Sequence, residues 1–197
     1  MNASFIFLVS GFSQDRGAYH GILKLREELY SQGFGSGSAN RIIYLDWRAK
    51  FDLVAQELSI ICNHHGYRPR VLVAGYSYGG WGALELCREF QPRGIDVESL
   101  NLSDPVGRPR WWPRPLPAAT SLLSRDWAPK LFVPGNVQVV HSFFQRRDRP
   151  QGHKLRTTNG TRELSPVELD RTHKRMDDAP EFHKRVLDEA RLLQLEF

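Results

Sequence analysis

The pentapeptide Gly75-Tyr76-Ser77-Tyr78-Gly79 constrains this chain more than any other feature. The apolar run Val71-Leu72-Val73-Ala74 leads straight into it, and a small-residue helical pattern leaves it near Gly80. A serine on a tight strand-to-helix turn projects its hydroxyl outward, and flanking glycines relieve the crowding of so sharp a bend. Ser77 is therefore the candidate nucleophile. The helix that follows aims free N–H groups and its positive dipole end at the same point, a setting that favours a developing oxyanion. The pentapeptide by itself is a weak signal, because a glycine-rich turn capping a helix has the same composition. The strand before it and the stripe Ala83, Leu84, Leu86, Cys87 after it supply the context.

The rest of the chain repeats that alternation. Ser4 to Val9 predicts a buried strand, followed by the loop Ser10 to Gly17 and a helix through Leu23, Leu25, Leu29 and Tyr30 that stops at the glycine cluster Gly33 to Gly37. Ile42 to Leu45 predicts a second strand, and Leu53, Val54, Leu58, Ile61 and Cys62 recur at helical spacing before the turn at Gly66 and Pro69. Beyond the helix after Ser77, Val97 to Leu102 and Val137 to Phe144 read as strands, separated by a long proline-rich passage containing Trp111, Trp112 and Trp127. Phe182, Val186, Leu187, Ala190 and Leu193 mark an amphipathic closing helix. Strands alternating with helices predict an α/β fold with a mainly parallel central sheet and helices on both faces. Ligands then bind at the carboxyl ends of the strands, where Ser77 lies.

At 197 residues, 41% hydrophobic and 25% charged, the chain suits one α/β domain over residues 1–197, with no linker or repeat period dividing it. The formal net charge of +5 is spread over Arg108 to Arg114, Arg146 to Arg149 and Arg171 to Arg175, which reads as a solvated basic surface rather than a nucleic-acid interface. Phe5 to Val9 is too short for a membrane span and has neither a basic leader nor a small-residue cleavage site. Cys62 and Cys87 fall on predicted helices among apolar neighbours and suggest no disulfide framework, which fits a reducing cytoplasm. No H-E-x-x-H, phosphate loop or dinucleotide fingerprint occurs, so neither a metal nor a cofactor is expected.

A serine hydroxyl needs a base to take its proton and a third group to orient that base. Asp104 directly follows the next predicted strand, so adjacent parallel strands would bring it to the same sheet edge as Ser77. Asp148, just past the strand Val137 to Phe144, competes for the role. Asp104 is favoured because an apolar strand and Pro105 flank it, whereas Asp148 sits among Arg146, Arg147 and Arg149 and reads equally as a surface ion-pair partner. Seven histidines compete for the base: His20, His64, His65, His141, His153, His173 and His183. The chain order serine, acid, histidine leaves the late ones. His173 falls in a polar loop before the closing helix and is preferred. His183 lies inside the helix and reads as a solvated side chain, and His141 lies within a strand and reads as structural. The oxyanion donors would be the main-chain N–H groups of Tyr78 and of Phe12, the latter after the close turn at Gly11. Trp111 and Trp112 read either as a pocket for an acyl or aromatic group or as a hydrophobic flap.

With these positions in view the chain resembles the α/β-hydrolase superfamily, and more narrowly its lipase-like and esterase-like members. The likeness rests on Ser10-Gly11-Phe12 after the first strand, Gly75-Tyr76-Ser77-Tyr78-Gly79-Gly80 at the turn, Leu102-Ser103-Asp104-Pro105-Val106 after the following strand, and His173 in the late loop. The resemblance implies a cofactor-independent serine hydrolase. It would cleave a small-molecule carboxylic ester through an acyl-enzyme intermediate, with Ser77, Asp104 and His173 as nucleophile, acid and base. The chain departs from the pattern in carrying Ser10-Gly11 where many members have His-Gly, and in being short, with little or no room for a lid. A thioesterase using the same groups and a non-catalytic hydrolase-like binding domain are the alternatives.

Overall fold

A computed structural model of the chain describes residues 1–12, 14, 19–37, 39–107, 123–157, 160–163 and 166–194. In chain order the elements are β1 (Asn2–Val9), α1 (Gly21–Ser31), β2 (Asn40–Leu45), α2 (Phe51–His65), β3 (Arg68–Tyr76), α3 (Tyr78–Phe90), β4 (Val97–Ser103), β5 (Leu131–Phe132), β6 (Val137–Phe144), β7 (Leu155–Arg156), β8 (Arg162–Glu163), β9 (Val167–Glu168) and α4 (Pro180–Gln194). The main sheet runs β2-β1-β3-β4-β6-β8, with β9 also on β6, and β5 pairs with β7 in a small second sheet. Every strand pairing among the described residues is parallel.

Period-two alternation sorts the two cores. On β1 and β3, Phe5, Phe7, Val9, Val71 and Val73 face α2 and α3, where they meet Phe51, Leu58, Ala83, Leu86 and Phe90. Ile6, Leu8, Leu72, Ala74 and Tyr76 face α1 and α4, packing with Ile22, Leu25, Leu29, Phe182, Val186 and Leu193. Each fully buried Phe or Leu contributes on the order of 2 kcal/mol, so the middle of the sheet is the most firmly held part of the molecule. That rigid middle carries the loops that matter, because β1, β3, β4 and β6 all end at one edge.

β3 is longer than the run Val71 to Ala74 predicts, since β1 pairs with it from Asn2 opposite Arg68 to Val9 opposite Gly75. The two-residue strands β5, β7, β8 and β9 were not expected, and strands so short carry no readable periodicity. His183 corrects an expectation. It is buried on α4, with Nδ1 2.9 Å from a Glu28 carboxylate oxygen of α1 and Nε2 2.7 Å from the Asp177 carbonyl. Its helical position is the expected one, but the face it occupies is turned against α1. His141 is buried on β6, 2.9 Å from Glu189 of α4. Among the described residues, no helix is long and apolar enough to cross a membrane.

Candidate active site

Ser77 joins β3 to α3 and holds φ 54°, ψ −124°. Among the described residues only Ser77 and Asp104 (φ 44°) combine a side chain with positive φ. Such a backbone costs about 1–3 kcal/mol per residue and persists only where the surroundings over-determine it. Here they do. Ser77 N–H donates to Ser103 O at 3.0 Å, and Ser77 O accepts from Gly80 at 2.9 Å and Val106 at 2.9 Å, so the end of β4 clamps the turn. Gly79 packs against the carbonyls of Val9 and Ser10 so closely that any Cβ would collide with main chain. The turn is thus wedged between the ends of β1 and β4.

Asp104, fully buried, donates its N–H to Phe143 O of β6 at 2.7 Å. Four donors converge on its carboxylate. Oδ1 accepts from the main-chain N–H of Gly152 at 2.6 Å and of Gln145 at 3.3 Å, while Oδ2 accepts from Gln145 Nε2 at 3.0 Å and from His173 Nδ1 at 2.6 Å. The other imidazole nitrogen, Nε2, lies 2.9 Å from Ser77 Oγ. A carboxylate only accepts, so the Nδ1 proton points at Asp104 and the Nε2 lone pair faces the serine hydroxyl. Serine, imidazole and carboxylate are all buried. In that low-polarity setting the hydrogen bonds along the row are strengthened.

His173 opens a 3-10 turn (His173–Arg175) that the ends of β3 and β4 and the loop after β6 hold in place. The Tyr76 hydroxyl donates to His173 O at 2.8 Å, Ser103 Oγ donates to Met176 O at 2.6 Å, and His173 N–H donates to Asp148 Oδ1 at 2.7 Å. Burial, and then the carboxylates of Asp177, Asp104 and Asp148, push the Tyr76 phenol well above its usual range, so it stays a donor.

The loop after β1 passes the nucleophile closely. A Cβ built on Gly11 would come within 3.1 Å of Ser77 Cβ and 3.0 Å of Tyr76 O. The next residue, Phe12, turns its ring outward, where it meets Trp47 at 5.6 Å and Tyr78 at 6.1 Å between centroids. Trp47 and Tyr78 are themselves 5.6 Å apart. Three rings therefore stand together beside Ser77. Among the described residues, no cluster of three or more His, Cys, Asp or Glu side chains is arranged to hold a metal ion.

Solved structures resemble nearly the full length of the chain. A protein of Xanthomonas campestris pv. campestris assigned to the alpha/beta hydrolase superfamily is 16% identical, with 96% of this chain and 98% of that chain covered and a TM-score of 0.45. YbtT, a type II thioesterase from the yersiniabactin biosynthetic pathway, is 14% identical over 98% of this chain and 94% of its own, with a TM-score of 0.47. The Vlm2 thioesterase domain is 16% identical over 99% and 93%, with a TM-score of 0.40. No protein-family model and no curated protein matches the sequence.

By its own geometry the structure brings together Ser77, Asp104, His173, Tyr78 and Phe12. Of the two competing acids, Asp104 faces the imidazole and Asp148 takes the main-chain N–H of His173. Trp111 and Trp112 lie outside the described residues. Sequence reasoning missed Trp47, Gln145, Gly152 and the anchoring role of Tyr76. Gln145 carried a usable signal, being a polar residue directly after the apolar strand β6. Trp47 carried one too, as an aromatic residue just past the carboxyl end of β2.

Proposed function

We propose that the protein is a serine hydrolase that cleaves a carboxylic ester through an acyl-enzyme intermediate on Ser77. The observation that carries this reading is the buried row Ser77 Oγ, His173 Nε2 at 2.9 Å, and His173 Nδ1 to Asp104 Oδ2 at 2.6 Å, at the carboxyl end of a parallel sheet. In the first half-reaction the Ser77 proton passes to Nε2 as Oγ attacks the ester carbonyl carbon. The resulting oxyanion is held by the N–H groups of Tyr78 and Phe12. Among the described residues of the loop after β1, the N–H groups of Ser10, Gly11 and Gln14 already donate to Leu45 O, Gln14 Oε1 and Gly11 O, which favours Phe12 as the donor. The imidazolium, stabilised by ionised Asp104, then gives its proton to the departing alcohol. In the second half-reaction His173 takes a proton from water, the hydroxide attacks the acyl carbon, and the carboxylic acid leaves with Ser77 restored.

A fluorophosphonate probe tests the reading directly. Wild-type protein is expected to be phosphonylated at Ser77, located by peptide mass mapping, and Ser77→Ala is expected to stay unlabelled. An unlabelled wild type overturns the proposal. Parallel turnover of p-nitrophenyl and thioester substrates fixes the leaving group, and thioester turnover exceeding ester turnover tenfold would reassign it.

The rings of Phe12, Trp47 and Tyr78 favour an apolar acyl group. Phe12 is 56% exposed, a surface that a bound chain would cover. Trp47→Ala is expected to raise KM for p-nitrophenyl octanoate about tenfold and KM for the acetate less than twofold, because only the longer chain reaches the indole. Equal changes in the two would remove these rings from the acyl pocket.

A further inference from the structure

Gln14 links two loops that the proposed chemistry uses separately. Its side-chain oxygen accepts from Gly11 N–H at 2.7 Å, and its Nε2 donates to Asp177 Oδ2 at 2.5 Å. The same Asp177 oxygen accepts from Gly21 N–H at 2.7 Å, the first N–H of α1, a helix whose own N-cap residue, His20, makes no side-chain capping bond. Gly21 has no Cβ to keep the Asp177 main chain away, so the start of α1 seats directly on the loop that also carries His173. One segment, 173–177, therefore delivers the imidazole to Ser77 and, through Asp177 and Gln14, holds the loop that carries Phe12, the oxyanion donor of the reading above.

Resting on the hydrolase reading above, we propose that Gln14 and Asp177 are positioning residues that set the Gly11–Phe12 loop at the distance from Ser77 that an oxyanion requires. Neither touches the substrate. They act through the main chain of Gly11, which lies against Ser77 Cβ, and they couple the placement of the oxyanion donor to that of the base. An oxyanion site works only when its donors are already in place, so a loop released from its anchor loses transition-state binding while ground-state binding of a short ester is kept.

The anchor is an acceptor, and its charge is incidental to it. Burial holds the Asp177 carboxyl above the usual carboxylate range despite the bonds from Gly21 and Gln14. The titratable groups facing it are His20, whose own value burial lowers, the Tyr76 phenol, and His183, whose Nε2 lies against the Asp177 carbonyl. Because the folded chain binds this proton more tightly than the unfolded chain, the stability linked to it is present at acid pH and lost as pH rises through the folded value. Asp177→Asn keeps an oxygen for both Gln14 and Gly21 and removes the buried charge.

The test compares Gln14→Ala, Asp177→Ala and Asp177→Asn with p-nitrophenyl acetate, alongside amide hydrogen exchange at Gly11. Gln14→Ala and Asp177→Ala are expected to lower kcat about 10- to 100-fold with KM within about twofold, and to speed Gly11 exchange. Asp177→Asn is expected to recover kcat to within about threefold of wild type and to show a Tm a few degrees higher at pH 7 but not below about pH 4. Should Asp177→Ala fail to fold, Gln14→Ala alone decides. Unchanged kcat with unchanged Gly11 exchange overturns the proposal. Faster Gly11 exchange in Gln14→Ala, combined with a wild-type protein that no fluorophosphonate labels, keeps the loop anchor and overturns its role in hydrolysis along with the hydrolase reading itself.

Discussion

Ser77→Ala will lower kcat for p-nitrophenyl acetate about 10⁵-fold, His173→Ala will lower it about as much, and the double variant will be scarcely worse than either. The non-additivity follows from the geometry. The imidazole has one task at Ser77 Oγ, 2.9 Å away, and the hydroxyl is a poor nucleophile without it, so removing either partner removes the whole step. On the hydrolase reading, what would remain is the contribution of the proposed Tyr78 and Phe12 N–H donors and of substrate binding, about 10³- to 10⁴-fold over water. Neither variant is expected to unfold the chain. The Ser77 clamp is made by its main chain to Ser103, Gly80 and Val106, and alanine keeps all three bonds. Stability supplies an internal control. Ser77→Gly, which tolerates φ 54°, is expected to be about 1 kcal/mol more stable than Ser77→Ala by urea denaturation while being equally inactive. A single variant retaining more than about a hundredth of wild-type kcat would break the link between the row of hydrogen bonds and the chemistry.

The parts of this site that were legible in the sequence are those written in local pattern. An apolar run, a glycine-flanked serine and a small-residue helix locate a strand-turn-helix from neighbouring residues alone, and strands alternating with helices give the parallel sheet and the edge where its strands end. Strand ends narrowed the acid to Asp104 or Asp148, and the apolar strand and Pro105 beside Asp104 favoured it, without showing what surrounds either carboxylate. The pairing itself depends on which carboxylate the Gln145 side chain and Gly152 N–H surround, and those groups lie 41 and 48 positions from Asp104, in the loop after β6. The same limit hid the bond between Gln14 and Asp177, which spans 163 positions, and the burial of His183, whose helical position says nothing of the Glu28 opposite it on α1. Trp47 escaped notice because the loop after β2 contributes an aromatic wall and no polar group to the chemistry.

Asp104→Asn is expected to cost about 10⁴-fold in kcat, and Asp148→Asn less than about fivefold, although each loses one negative charge near the same histidine. Four donors surround the Asp104 carboxylate, and two of them, Gly152 N–H and Gln145 N–H, belong to the main chain and cannot rotate. An asparagine must turn its oxygen toward those two, which leaves its NH₂ group facing His173 Nδ1. The Gln145 amide cannot flip to accept from that NH₂ without losing the bond from Asp148 N–H to its Oε1 at 3.0 Å. His173 then takes the other tautomer, with its proton on Nε2 facing Ser77 Oγ, and no longer accepts the hydroxyl proton. The crowded donors also cost stability, about 1–3 kcal/mol for one buried group left unpaired. Asp148 does a simpler job. Its Oδ1 accepts the His173 N–H at 2.7 Å, and an asparagine oxygen accepts equally well, so the 3-10 turn stays in place. Asp148→Ala, which leaves that N–H without its partner, should fall between the two, at about tenfold. Steady-state kcat with p-nitrophenyl acetate, measured beside urea denaturation for all three variants, tests the order. If Asp148→Asn proves the more damaging substitution, the carboxylate that orients the imidazole is not Asp104.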